Sequence, residues 1–70
     1  MDSIKFKIAL VGCGRISKNH IRAIIENFDR FELIAICDNS KIKLKSAIEL
    51  IKKEYEKYNL NYKKPKEYSE

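Results

Sequence analysis

"VGCGRISKNH", residues Val11 to His20, decides how this chain is read. Ahead of it, Lys5–Val11 runs "KFKIALV", which begins in alternation and becomes a continuous apolar run. A short run of that kind suits a strand buried on both faces, as in a parallel sheet. Gly12 and Gly14 break it, and helical spacing follows over Arg15–Phe28. At about 100° per residue, Ser17, Ile21, Ile24 and Phe28 share one face, with Ile25 at its edge. Lys18, Asn19, Arg22 and Glu26 fall on the other face.

The pattern then repeats. Phe31–Cys37, "FELIAIC", is a second apolar strand candidate, closed by Asp38. "DNS" supplies turn and N-cap chemistry, and a second helix spans about Lys41 to Tyr58. Its apolar face carries Leu44, Ala47, Ile48, Ile51, Tyr55 and Tyr58, while Lys45, Glu49, Lys52 and Glu56 face water. Glu49 and Lys53 stand at i,i+4, a spacing that supports a weak ion pair. From Asn59 the chain turns polar, and Pro65 discourages further helix. The order is β-α-β-α. Two strands joined by a helix lie parallel with a right-handed crossover. The expected fold class is therefore α/β, a partial Rossmann-type β-α-β-α unit with parallel strands, incomplete as a domain. Residues 1–58 read as the N-terminal part of a larger α/β domain, and 59–70 as a polar tail leading to the remainder.

A strand, then G-x-G, then a helix N-terminus has a physical use. The first glycine lets the chain turn sharply out of the strand, and the second removes a Cβ where a pyrophosphate approaches. The helix N-terminus offers free N–H groups and a partial positive charge. Gly12 and Gly14 fit the two glycine roles. Cys13 contributes its backbone, and the N–H groups near Arg15 and Ile16 are the expected anion donors. The usual third small residue of this fingerprint serves close helix–strand packing. Ser17 occupies that slot, near the centre of the apolar face, where its small side chain is tolerable and its hydroxyl can bond back to a carbonyl one turn earlier.

The fingerprint also needs an acid at the end of the second strand, to accept from the ribose hydroxyls of the adenosine half. Asp38 follows Gly14 by 24 residues and directly ends "FELIAIC". A carboxylate there repels a 2′-phosphate, so the expected cofactor is NAD rather than NADP. The plainer reading of Asp38 is a cap for the second helix. His20 reads as a packed or hydrogen-bonded residue rather than a catalytic one, and Tyr55 and Tyr58 as core-facing aromatics.

Composition sets bounds. At 70 residues the chain is about half a usual domain, and a core that small is marginal unless stapled. The two cysteines, Cys13 and Cys37, read as reduced thiols, with no second Cys or His at metal-ligand spacing. No signal peptide or membrane-length apolar run stands out, which makes the cytoplasm the expected compartment. The net charge of +5 is uneven: residues 41–70 hold nine Lys and five Glu. Because these lysines are interleaved with Glu and no nucleic-acid motif accompanies them, a solvated helix face explains them better than nucleic-acid binding.

"VGCGRISKNHIRAI" followed by "FELIAICD" resembles the N-terminus of the glucose–fructose oxidoreductase, inositol dehydrogenase and rhizopine-catabolism (Gfo/Idh/MocA) family. The matching residues are Gly12, Gly14, Arg15, Ile16, His20 and Asp38, and the likeness covers roughly residues 5–58. It implies an NAD(P)-dependent sugar oxidoreductase with a Rossmann domain and a C-terminal α/β substrate domain. It also implies that pyrophosphate lies over Gly12–Ile16, and that Asp38 and Asn39 approach the adenosine ribose. Within the family, "GCGRISKNH" looks most like dehydrogenases that oxidise the 3-hydroxyl of UDP-N-acetylglucosaminuronic acid in polysaccharide synthesis. The family's catalytic lysine, in an E-K-P motif, has no match: "KKPK" at Lys63–Lys66 lacks the Glu and comes too early. No catalytic residue is therefore expected in this chain, which should be inactive alone. A sugar or nucleotide-sugar substrate would be a partner only in a full-length relative, and a homo-oligomer stays open. Two rivals remain: a non-catalytic nucleotide-binding or interaction module, and a small basic nucleic-acid-binding protein.

Overall fold

The computed structural model describes residues 5–14 and 17–69. In chain order it contains β1 (Phe6–Val11), α1 (Ser17–Glu26), β2 (Phe31–Cys37), α2 (Lys41–Lys57) and β3 (Lys66–Tyr68). The strands form one sheet in the order β1-β2-β3, with both pairings parallel. This is the α/β unit with parallel strands that the sequence implies.

Each element has an identifiable start and stop. The β1–β2 ladder opens where the Phe6 N–H donates to the Arg30 carbonyl at 2.8 Å. It closes where the Gly12 N–H donates to the Cys37 carbonyl at 2.7 Å. Between them the register slips, so that Ile8 pairs with Leu33 but Ala9 with Ala35. Ile34 is the extra residue of this bulge. Helix α2 is capped by Ser40, whose side chain accepts from the Lys43 N–H at 3.3 Å. It ends with Asn59 in the left-handed region (φ 58°). There the Asn59 N–H donates to Glu56 O and the Leu60 N–H to Tyr55 O, the paired bonds of a Schellman stop.

Both helices lie on one face of the sheet, where α1 packs against α2 and against β2. The three large side chains with almost no exposure are Ile21 of α1, Ile36 of β2 and Ile51 of α2. One comes from each element, so the core is the seam between two helices and the middle strand. Burying each is worth about 1.5–3 kcal/mol.

Three sequence expectations change. First, β1 is not buried on both faces: Lys7, Ala9 and Val11 are exposed, Val11 by 81 %. The cause is that both helices cover the same side and β1 is an edge strand. Second, Phe28 is exposed by 43 %, because α1 stops at Glu26 before the wheel reaches it. His20 is likewise exposed rather than packed. Glu54 instead joins the buried face of α2, at the 47–51–54 spacing of the apolar stripe. Third, the stretch read as polar tail contains β3, which pairs Ala35–Cys37 with Lys66–Tyr68. The Glu49–Lys53 pair does not form; among the described residues the ion pair is Lys64–Glu67 at 3.2 Å. No helix of the described residues is long and apolar enough to cross a membrane.

Candidate functional site

The site lies at the C-terminal ends of β1 and β2, where parallel strands place their following turns side by side. Gly12 leaves β1 with φ +87°, a conformation that suits glycine because it has no Cβ. Among the described residues, a Cβ built on Gly12 or on Gly14 meets nothing within 4 Å. The glycines therefore border open space and not packed protein, so a ligand could approach the backbone there. Gly14 is partly exposed and Gly12 exposed.

Ser17 closes the turn onto α1. It is buried, and both its N–H (3.1 Å) and its hydroxyl (2.5 Å) donate to the Gly14 carbonyl. That is the back-bond expected of its hydroxyl, and its burial matches the small-residue packing role. Arg15 and Ile16, the expected source of anion-binding N–H groups, lie outside the described residues.

Asp38 stands opposite the turn. Its Oδ2 accepts from the Cys13 N–H at 2.7 Å, and its Oδ1 accepts from the Ser40 N–H at 2.8 Å. The Cys13 amide, then the Ser40 amide, and also the charge of Lys43 hold its carboxyl below the ordinary value of 3.8. Desolvation opposes this without reversing it. The carboxylate is thus ionised at neutral pH. Each oxygen has taken one amide and keeps lone-pair capacity for a further donor. The Asp38 N–H in turn donates to the Tyr68 carbonyl of β3 at 3.0 Å. Asn39, beside it, is exposed.

Cys13 sits between the glycines, buried, with its Sγ 3.8 Å from the Cys37 carbonyl. Burial, followed by the nearby Asp38 and Cys37, pushes its thiol above the ordinary value of 9.0, so the sulfur is a protonated packing group at neutral pH. Its amide is already committed to Asp38. Both cysteines are free thiols. Of the sequence-derived site, Gly12, Cys13, Gly14 and Asp38 come together in one mouth, with Asn39 at its rim.

Sequence reasoning missed the support of Asp38. Tyr68 gave no signal, because β3 is three exposed residues without apolar alternation. The link from Cys13 to Asp38 spans 25 positions, and only the parallel topology brings those strand ends together.

Comparison with known proteins bears on the fold that positions these residues. The sequence model of the Gfo/Idh/MocA family, "Oxidoreductase family, NAD-binding Rossmann fold", matches residues 6–68. A curated relative, the D-apiose dehydrogenase of Paraburkholderia graminis, is 42 % identical over 43 residues. That match covers 61 % of this chain and 11 % of the relative, so the chain spans a small part of the relative's length. No solved structure matches the chain.

Proposed function

Because this chain belongs to the Gfo/Idh/MocA oxidoreductase family and carries part of its NAD-binding Rossmann fold, we propose that it holds the adenosine–pyrophosphate half of NAD. In that reading Gly12, Cys13, Gly14, Arg15 and Ile16 form the pyrophosphate turn. Asp38 accepts from the ribose hydroxyls, with Asn39 beside it. The complete enzyme of which this unit is the N-terminal portion moves a hydride from a sugar or nucleotide-sugar carbon to the nicotinamide. "GCGRISKNH" favours a nucleotide-sugar acid as substrate, and the D-apiose relative keeps the substrate class at sugars.

One observation carries the reading: an ionised, partly exposed carboxylate at the mouth of a two-glycine turn whose glycines border open space. The carboxylate charge also favours NAD over NADP, since a 2′-phosphate would meet it at close range. Calorimetric titration tests this. NAD should bind more tightly than NADP, and Asp38→Ala should weaken NAD by at least about tenfold, the worth of a charge-assisted hydrogen bond. Equal affinities for the two cofactors, or unchanged affinity in Asp38→Ala, would sink the assignment. Nucleic-acid affinity that falls steeply with salt, without NAD binding, would favour the basic-protein alternative.

A further inference from the structure

A serine stands at the start of each helix, and the two do opposite things. At the start of α2 the Ser40 hydroxyl oxygen accepts from the Lys43 N–H at 3.3 Å. That is the usual cap, and it uses up one free donor of the first turn. At the start of α1 the Ser17 hydroxyl donates instead. Its acceptor lies outside the helix: the Gly14 carbonyl, at 2.5 Å. The Ser17 N–H donates to the same oxygen at 3.1 Å. One residue, buried to 6 % exposure, thus occupies both lone pairs of one carbonyl. Close packing does not call for this, since the glycine or alanine usual at the slot has no side-chain donor.

The carbonyl so held belongs to the mouth. Gly14 is partly exposed, and a Cβ built on it meets nothing among the described residues within 4 Å. A carbonyl oxygen turned into that space would repel an anion. The carbonyl and the following N–H of a trans peptide point in opposite directions. Drawing the oxygen toward α1 therefore leaves the donor end of the same unit for an anion. The first turn of α1 carries no acidic side chain to compete with one.

We propose that Ser17 is a positioning residue for the pyrophosphate: its hydroxyl locks the Gly14 carbonyl against the start of α1 and keeps that oxygen away from the phosphate oxygens. The inference rests on the reading of the turn as the pyrophosphate holder. It adds to that reading a side chain that touches no ligand itself.

Titration of the 70-residue chain with adenosine, ADP and NAD tests it. Ser17→Ala keeps a small side chain in the slot and removes only the hydroxyl. It should weaken ADP and NAD by about fivefold, the worth of one hydrogen bond. Adenosine, which would meet Asp38 but not the turn, should bind as before. The carbonyl-carbon NMR resonance of Gly14 should shift in the same variant without any ligand, reporting the lost bond. Equal weakening of all three ligands would show a structural role only, and unchanged ADP and NAD affinity a packing role only. Either result overturns the proposal, as does an unmoved Gly14 resonance. Asp38→Ala should weaken all three ligands alike, which tells failure of the ribose assignment apart from failure of this one. A wild-type chain that binds ADP no more tightly than adenosine would remove the pyrophosphate reading itself, and this inference with it.

Discussion

At Asp38 two backbone amides point at one carboxylate, and the direction of its pKa fixes how the chain answers acid. Its folded value is depressed. The stabilisation is present above the unfolded value of about 4 and is lost as pH falls through the lower folded value. Urea midpoints should therefore decline below about pH 4, and Asp38→Asn should flatten that decline. An identical pH profile for the variant would contradict the role. The two glycines separate by a different measurement. Gly12→Ala forces a side chain into φ +87° and should cost about 1–2 kcal/mol of stability. Gly14→Ala finds open space, so its stability should hardly change while NAD affinity falls, as calorimetry would show. Gly12, Gly14, Ser17 and Asp38 were all legible in the sequence, because their roles rest on residue size and charge at fixed spacing. The Cys13 amide as partner of Asp38 was not, because it depends on how Gly12 turns the chain.

Among the elements, β2 was read to the residue, since Phe31–Cys37 is an unbroken apolar run closed by an acid. Helix α2 was nearly so, through the cap chemistry of "DNS" and the change to polar sequence at Asn59, although the left-handed stop there was not foreseen. β3 was invisible, since its three residues are exposed and show no apolar alternation, and it joins the sheet through its ladder to β2. Yet it bears on the site, because the Tyr68 carbonyl takes the Asp38 N–H. Ending the chain at Lys64 should therefore weaken NAD binding although every proposed contact residue is retained, which calorimetry can show. Unaltered affinity would mean that β3 is only an edge cover.

For the whole molecule, the one-sided sheet is the feature the apolar run of β1 concealed. A continuous run signals burial on two faces only when elements exist for both. Here α1 and α2 share one side and leave Lys7, Ala9 and Val11 bare. The same scale governs activity. The E-K-P lysine that the family resemblance leads one to expect has no counterpart in the sequence. The purified chain should bind NAD yet show no nicotinamide reduction with any sugar or nucleotide sugar, measured by absorbance. Turnover would refute the reading of this unit as a holder of cofactor without chemistry of its own.

The bond from the Cys13 amide to Asp38 bears on folding as well. Its partners follow two paired strands and lie 25 positions apart in the chain, so the grip for a ligand needs the paired sheet. The loop-closure entropy of such a link is offset only once the non-local contacts form. A ligand that needs the grip would bind the native state alone, and its concentration would set how much of the chain is folded. For a core built around three isoleucines, assembly and occupancy become a single equilibrium.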